Sequence, residues 1–309
     1  MQSTEGWVVI LGTGGTIAGT AAEKLDNVGY TAAQLGVAQL VQTVPALAGQ
    51  ALQAEQVAQL DSKDMDPATW LALARRVAHH LARPEVQGVV VTHGTDTLEE
   101  TAYFLQRVLA PRKPVVMTAA MRPATALLAD GPQNLLDAVS VARWEGAQGV
   151  LVVLGGQVHA PEDVRKLHTY RVEAFGSGDA GPIAAVEEGR LRLFRPWPAG
   201  EALGLERLPA DAHAWPQVAL LLSHAGVSGA IVQALCAHGV RGIVVAGTGN
   251  GTVHRELLAA LKRAQQAGVT VWRASRCAFG AVVGEAELPS AGALPAVKAR
   301  IELMLRLMA

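Results

Sequence analysis

Seven short apolar runs, punctuated by glycine and proline, constrain the fold of this chain more than any other feature. Runs of this kind are typical of strands covered on both faces, as in a parallel sheet. Helical patterns alternate with them, which predicts a doubly wound α/β fold. The runs span residues 7–11, 88–92, 114–118, 149–154, 218–223, 242–246 and 269–274, and the helical patterns span 66–80, 98–109, 131–143, 228–238, 252–266 and 295–307.

The length of the chain and one break in its composition predict two domains. A chain of 309 residues is long for a single core. Prolines cluster without periodicity across residues 187–217, which indicates a linker at 191–215. We therefore predict a larger N-terminal doubly wound sheet domain over 1–190 and a smaller C-terminal α/β domain over 216–309.

Composition and charge exclude several classes of protein. The net charge is −1 and no basic stripe is present, which argues against a nucleic-acid partner. No apolar stretch approaches the roughly 18 residues that a membrane span needs. Cys236 and Cys277 are far apart and predict free thiols rather than a disulfide framework. His79 and His80 lack partners at ligand spacing, so no metal site is predicted.

The first residues show no basic segment followed by an apolar stretch, the pattern of a signal peptide. This predicts a cytoplasmic protein. A periplasmic location is the alternative if a leader has been trimmed.

The first apolar run ends in a glycine- and threonine-rich segment, residues 12–19. A dinucleotide-binding Gly-x-Gly-x-x-Gly pattern would need glycine where Ile17 stands, and a P-loop would need a Gly-Lys-Ser/Thr sequence. Two interpretations stay open. The segment is either a tight turn with a capping threonine, or a loop whose glycines let the backbone approach a ligand while Thr16 presents its hydroxyl.

A later run ends in His93-Gly94-Thr95-Asp96-Thr97. Capping of the following helix explains Thr97 and Asp96 but not the whole group. In an open parallel sheet, small ligands bind at the edge where these two segments would lie. Both segments are rich in threonine and neither holds a catalytic serine or cysteine, which indicates a hydrolase with a threonine nucleophile.

The chain resembles the bacterial-type L-asparaginases, a family that includes the glutaminase-asparaginases, along nearly its whole length. The most specific matches are residues 13–19 and 93–97. Further matches are Ser62 with Asp64-Met65, Ala120-Met121-Arg122-Pro123, Asp130-Gly131-Pro132, Asp163-Val164 with Lys166, and Gly249-Asn250-Gly251.

The resemblance implies catalytic roles for five residues of the first domain and for Glu287 of the second. Thr16 matches the nucleophile of the family. Tyr30 matches the tyrosine of the mobile loop that closes over the site. Thr95, Lys166 and Asp96 match a second triad, in which the lysine amine serves as the base for Thr95.

The resemblance also implies substrate contacts and an assembly. Ser62 and Asp96 match groups that bind the α-carboxylate and the α-amino end of the substrate, and Ala120 matches a backbone contact near the amide. Glu287 and Asn250 resemble second-domain residues that reach the site of a neighbouring subunit. The implied assembly is a homotetramer with sites shared between subunits.

The expected reaction is the hydrolysis of L-asparagine to L-aspartate and ammonia through a Thr16 acyl-enzyme, without a cofactor. Glutaminase side activity stays open. Two rival interpretations remain: a catalytically quiet protein that binds or senses asparagine on the same fold, and a nucleotide-binding oxidoreductase, against which the Ile17 mismatch argues.

Two departures from the family pattern bear on the site. Lys63 stands beside Ser62 where family members more often have glutamine or serine. We expect its side chain to be exposed, because lysine avoids burial. The segment 284–294 is shorter than in longer relatives, which affects the placement of Glu287.

Overall fold

The computed structural model describes residues 6–308, and the chain divides into two units between Leu205 and Glu206. This division lies inside the segment that the sequence analysis assigned to the linker. Residues 1–5, which bear on the signal-peptide prediction, lie outside the described residues. Within residues 6–308, no helix combines the length and the apolar character that crossing a bilayer requires.

The first unit contains ten strands and four α-helices among its described residues. In chain order they are β1 (Trp7–Gly14), α1 (Val37–Gln42), β2 (Leu52–Leu60), α2 (Pro67–Leu81), β3 (Val86–Thr92), α3 (Leu98–Leu109), β4 (Val115–Thr118), α4 (Gly131–Ala142), β5 (Val150–Leu154), β6 (Gln157–His159), β7 (Arg165–Lys166), β8 (Phe175–Gly176), β9 (Ala184–Glu187) and β10 (Arg190–Leu193).

Eight of these strands form one sheet in the order β10-β9-β6-β5-β4-β3-β1-β2. The five strands from β5 to β2 are parallel, whereas β6, β9 and β10 extend the sheet antiparallel. The sheet is therefore mixed, and it is larger than the four strands that the sequence predicted before the linker. β1, β3, β4 and β5 match the predicted apolar runs because nearly all of their residues are buried.

Helices cover both faces of this sheet. α1 and α4 contribute Val37, Leu40 and Leu135 to a core that also contains Ile10 and Val90 of the sheet. α2 and α3 pack together and contact β3 and β5. The order β2-β1-β3-β4-β5 reverses between β1 and β3, and ligands in open α/β sheets bind at such a reversal, outside the carboxyl ends of the strands.

The second unit is a smaller parallel α/β layer. Its elements are β11 (Val218–Leu222), α5 (Ala230–Ala237), β12 (Gly242–Gly247), α6 (Arg255–Gln266), β13 (Thr270–Ser275) and α7 (Ala296–Arg306). The three strands pair in the order β11-β12-β13. Val232, Leu257 and Leu261 of α5 and α6 belong to one core, and Ala299 and Leu303 of α7 belong to another. A large N-terminal and a smaller C-terminal α/β unit confirm the predicted fold class.

Candidate active site

Two loops meet at the carboxyl ends of β1 and β3. Gly15 has φ = +82°, in the left-handed region that favours glycine, and a Cβ on it would overlap the backbone of Gly94. A Cβ on Gly94 would overlap the side chain of Ser62. The loops therefore pack backbone against backbone, which requires glycine at both positions and brings the next residues, Thr16 and Thr95, into one region.

Thr16 is buried at the start of a short 3₁₀ turn, Thr16–Ala18, and its hydroxyl is hydrogen-bonded to Tyr30. The distance from Thr16 Oγ1 to the Tyr30 hydroxyl is 2.7 Å. Reciprocal backbone hydrogen bonds of 2.9 Å between Thr20 and Thr31 close the base of the loop that carries Tyr30. In this conformation the tyrosine of the predicted mobile loop lies over the predicted nucleophile.

The three residues of the predicted second triad are in direct contact. The Lys166 ammonium donates to Thr95 Oγ1 at 2.9 Å and to Asp96 Oδ1 at 2.7 Å. The side chain of Lys166 is 22% exposed and that of Asp96 is 52% exposed, so the chain of groups runs from a buried hydroxyl to solvent. Such a row of hydrogen-bonded groups can move a proton between Thr95 and the cavity.

Ser62 is buried beside this triad, in the turn Ser62–Asp64. Its hydroxyl accepts a hydrogen bond from the Asp96 N–H at 3.2 Å, and its carbonyl accepts one from Thr97 Oγ1 at 2.7 Å. Because the Ser62 oxygen acts as an acceptor here, its own hydrogen is left to donate. This fits the predicted contact with a carboxylate.

A cavity of about 240 Å³ unites most of these groups. It is smaller than the roughly 300–1,000 Å³ of pockets for drug-sized ligands, which favours an occupant of amino-acid size. Five residues predicted from sequence line it: Thr16, Tyr30, Thr95, Asp96 and Lys166. Ser62 and Ala120 are not part of this lining.

Five further residues line the cavity without having been given a site role from sequence: Asn27, Val28, Met121, Thr169 and Tyr170. Position in the chain was the available signal for all of them. Asn27 and Val28 precede Tyr30 on the same loop, Met121 follows Ala120, and the other two lie within four residues of Lys166.

The turn after β4 is held by a carboxylate. Asp130 accepts hydrogen bonds from the backbone N–H groups of Met121 and Arg122, at 3.0 and 2.9 Å. Asn134 donates to Asp130 at 3.2 Å and to the Ala119 carbonyl at 2.9 Å. Ala120, between these contacts, is fully buried, and the next side chain along, Met121, reaches the cavity.

Lys63 has the exposed side chain that we expected from sequence, at 61%. Its ammonium pairs with Asp61 at 2.6 Å and with Asp64 at 3.3 Å. The hydrogen bond that the Lys63 ammonium donates to Asp61 raises the pKa of Lys63. The Lys63 ammonium therefore forms its ion pairs at the protein surface, whereas the Ser62 side chain in the same turn is buried.

Asn250 and Glu287 lie in the second unit, and both have partners there. The Asn250 amide donates to the Val283 carbonyl and accepts from the Val283 N–H, each at 2.8 Å. The Glu287 carboxylate accepts from Lys262 at 2.5 Å. The buried Arg273 joins the two segments by donating to the carbonyls of Asn250 and Leu288, at 3.1 and 3.0 Å. The predicted contact with a neighbouring subunit remains a prediction for both residues.

His93 is completely buried and links the site to the core. Its Nδ1 hydrogen bonds to the Gly94 carbonyl at 2.7 Å, so Nδ1 carries the hydrogen. Its Nε2 therefore accepts from the Thr101 hydroxyl at 3.0 Å, and Trp70 Nε1 donates to that hydroxyl at 2.9 Å. Burial lowers the pKa of His93 to about 4, and the imidazole is neutral at pH 7.

His93 makes the stability of the chain depend on pH. The unfolded histidine binds a proton near pH 6.5 and the folded one only near pH 4, so the unfolded state binds more protons between these values. We expect the free energy of unfolding to fall by about 3 kcal/mol as the pH drops from 6.5 to 4. Urea titrations of the wild type and His93→Asn, which keeps a neutral donor, check this. Parallel pH curves for the two proteins would contradict it.

The chain is similar to known proteins in both of its units. Residues 7–199 match the family model described as "Asparaginase, N-terminal", and residues 217–309 match "Glutaminase/Asparaginase C-terminal domain". The glutaminase-asparaginase of Pseudomonas fluorescens biotype A is 40% identical over 286 residues, which cover 91% of this chain and 79% of that protein. L-asparaginase 2 of Escherichia coli K12 is 37% identical over 310 residues, which cover 97% of this chain and 88% of that protein.

A solved structure is similar to this chain over nearly its whole length. The probable cytoplasmic L-asparaginase from Campylobacter jejuni superimposes with a TM-score of 0.92 at 36% sequence identity. The match covers 98% of this chain and 95% of that one.

Proposed function

This chain belongs to the asparaginase family, and from that membership we propose that it is an amidohydrolase converting L-asparagine and water to L-aspartate and ammonia. One observation carries the proposal. A single cavity of amino-acid size brings together the Thr16–Tyr30 pair and the Lys166–Thr95–Asp96 chain of hydrogen bonds. A primary amide is a poor electrophile, so its hydrolysis requires a nucleophile and a proton-transfer chain that both reach the same bound substrate.

Substrate orientation follows from two free hydrogen-bonding groups. Asp96 uses Oδ1 to bind Lys166, and its Oδ2 has no partner among residues 6–308, so it is available to the α-ammonium of asparagine. The Ser62 hydroxyl has its hydrogen left to donate to the α-carboxylate. Together these groups hold the two ends of an α-amino acid and leave its side-chain amide for the nucleophile.

In the first chemical step, Thr16 Oγ1 attacks the amide carbon, and an ester forms as the carbon–nitrogen bond breaks. The proton that Thr16 loses ends on the departing ammonia. Tyr30, hydrogen-bonded to Thr16, and the Thr95–Lys166 pair are placed to carry it. Water then attacks the ester, which releases aspartate and restores the Thr16 hydroxyl.

The charge that develops on the amide oxygen needs hydrogen-bond donors. The Gly15 N–H is already bonded to the Leu60 carbonyl at 3.0 Å. The N–H groups of Thr16 and Thr95 have no acceptor within the described part of the chain. We assign the oxyanion site to these two N–H groups.

A coupled assay of ammonia release, run with L-asparagine and with L-glutamine, tests the function. Release from asparagine supports the proposal, and the ratio of kcat/KM for the two amides measures glutaminase side activity. Calorimetric binding of asparagine without ammonia release would instead favour the sensing protein. Binding of NAD would favour the oxidoreductase.

We also propose a homotetramer in which Glu287 and Asn250 complete the site of a neighbouring subunit. Activity should then fall on dilution as the tetramer dissociates, with the mass followed by light scattering. Glu287→Ala should lower kcat in a folded tetramer. Lys262→Met is the matched control, because it removes the other half of the Glu287 ion pair and should leave kcat unchanged. A fully active monomer, or equal losses in both variants, would refute the shared site.

The cytoplasmic location stays our proposal, supported by the similarity to the probable cytoplasmic enzyme from Campylobacter jejuni. A relative from Haemophilus influenzae, 35% identical, is named a probable periplasmic L-asparaginase. Fractionation of cells that express the gene from its natural start decides between the two.

A further inference from the structure

Arg273 is a buried cation that pairs with no acidic side chain in the part of the chain that the structure describes. It lies on β13 and is 4% exposed. Its guanidinium donates instead to the main-chain carbonyls of Asn250, Gly284 and Leu288, at 3.1, 2.6 and 3.0 Å. Removing a guanidinium from water is costly unless its N–H groups are bonded. The three carbonyls therefore hold Arg273 in place, and Arg273 in turn holds the segments to which they belong.

These carbonyls belong to the two segments that are predicted to reach a neighbouring subunit. Asn250 lies in the turn that follows β12. Gly284 and Leu288 follow β13 and lie on either side of Glu287. One planar guanidinium is thus bonded to both segments, and its rigid fork of donors fixes where they lie relative to each other.

The stretch that carries Glu287 has little packing to hold it. Residues 283–287 are all exposed and form neither helix nor strand. The stretch borders a cavity of about 260 Å³, which Arg273 also lines. The Glu287 carboxylate pairs with Lys262, but both side chains are about half exposed, and such surface ion pairs contribute little. Hydrogen bonds to the main chain must therefore provide much of the order in this stretch.

The two ends of the stretch have further anchors. The Asn250 amide forms two hydrogen bonds of 2.8 Å with the main chain of Val283. At the other end, the main chain of Arg273 forms two hydrogen bonds of 2.8 Å with Pro289 and Ala291. Loss of the arginine side chain should therefore loosen the middle of the stretch and leave its ends attached.

We propose that Arg273 is a positioning residue for Asn250 and Glu287, and that through them it acts on the active site of the neighbouring subunit. The proposal rests on the proposed shared site, which these two residues complete. A lysine ammonium keeps the charge but lacks the planar fork that meets carbonyls from two segments. Arg273→Lys should therefore fall well short of the wild type.

The kinetic test compares Arg273→Met and Arg273→Lys with Arg241→Met, which removes an exposed arginine just before β12 in the same unit. We expect Arg273→Met to lower kcat for asparagine by about ten- to a hundredfold, the scale of a small misplacement of groups at an active site. Arg273→Lys should recover part of this loss, and Arg241→Met should keep the wild-type kcat. Light scattering and thermal unfolding verify that each variant is assembled and folded.

A mixing experiment identifies the subunit whose site Arg273 serves. Thr16→Ala chains lack the proposed nucleophile but keep the second unit intact, and Arg273→Met chains have the reverse defect. Co-expressed with different affinity tags, the two chains form hybrid tetramers in which Thr16 of one chain meets the intact second unit of its neighbour. The hybrids should release ammonia several times faster than either parent tetramer. A role of Arg273 within its own chain gives no such gain.

Hydrogen exchange tests the positioning without relying on activity. The amides of residues 283–288 should exchange faster in Arg273→Met than in the wild type, whereas the amides of β12 should keep their protection. This result is expected even if the protein hydrolyses neither amide. If Arg273→Met does not fold, Arg273→Lys takes its place in the exchange and mixing experiments.

A hybrid of Thr16→Ala and Glu287→Ala chains tests the shared site without Arg273. If this hybrid gains activity and the Arg273→Met hybrid does not, the proposal is overturned while the shared site stands. If neither hybrid gains activity, the shared site fails and the proposal fails with it. Wild-type kcat or wild-type exchange in Arg273→Met would show that Arg273 does not position Glu287. An equal loss in Arg241→Met would assign the effect to the lost charge.

Discussion

Thr16→Ala is expected to lower kcat for asparagine by on the order of 10⁴ or more and to leave the chain folded. The loss should be this large because the proposed mechanism forms the ester on the Thr16 hydroxyl, which this substitution removes. Thr95 Oγ1 is hydrogen-bonded to Lys166, and the proposed function assigns the Ser62 hydroxyl to the α-carboxylate of the substrate. Ammonia release measured at saturating asparagine checks the prediction.

Two further substitutions at the same position separate chemistry from packing. Thr16→Val keeps the branched shape in this buried position and removes the hydroxyl, so it should be as inactive as Thr16→Ala while still binding asparagine in calorimetry. Thr16→Ser restores a hydroxyl and should recover part of the activity. Near wild-type kcat in a folded Thr16→Ala protein would assign the nucleophile to Thr95 or to another group.

Lys166→Met is expected to lower kcat by on the order of 10² or more, the scale of a lost general acid or base. Among the described residues, Lys166 provides the amine in hydrogen-bond contact with Thr95 Oγ1, so its removal interrupts the path of the proton. Steady-state kinetics with asparagine measure the effect, and thermal unfolding verifies that the variant is folded.

Lys166→Arg tests whether the amine must lose its proton. Arginine keeps the positive charge and can bond to both Thr95 and Asp96, but it stays protonated in proteins. If the lysine is a base, Lys166→Arg should be about as inactive as Lys166→Met. If Lys166→Arg retains activity, the role of Lys166 is electrostatic, and full activity in Lys166→Met would remove Lys166 from the mechanism.

The strands in the middle of the large sheet could be predicted because local sequence reflects their environment. β1 and β3 are covered by helices on both faces, so nearly every residue is apolar and the run is visible without a partner. β2 was missed for the converse reason. It lies at the edge of the sheet, many of its residues are partly or fully exposed, and polar side chains interrupt the apolar run over Leu52–Leu60. β6, β9 and β10 were missed because these short strands contain exposed residues that interrupt the apolar run, unlike the equally short but fully buried β4.

Some residues of the candidate site could likewise be predicted from local sequence, and others could not. The two threonine segments at Thr16 and Thr95 were visible because each follows a buried strand, and a parallel sheet brings such strand ends to one edge. The roles of Lys166 and Tyr30 came from family resemblance, since a lone lysine or a loop tyrosine shows no local pattern of its own. The role of Asn250 in a neighbouring subunit's site also came from the resemblance. In the structure, its side-chain amide forms two hydrogen bonds with the backbone of Val283 in the same chain.

Sequence alone thus determined the class of fold, the positions of the fully buried strands and of every described α-helix except α1 (Val37–Gln42), and the two loops that carry threonine. These features depend on periodicity and turn residues within a few positions of one another. Tertiary structure decided which groups touch. Lys166 meets Thr95 across 71 residues, and Glu99 reaches the Lys166 backbone across 67. The close approach of Gly15 to Gly94 likewise exists only after β1 and β3 have paired. Contacts of this kind arise from the packing of distant segments, and no local pattern encodes them.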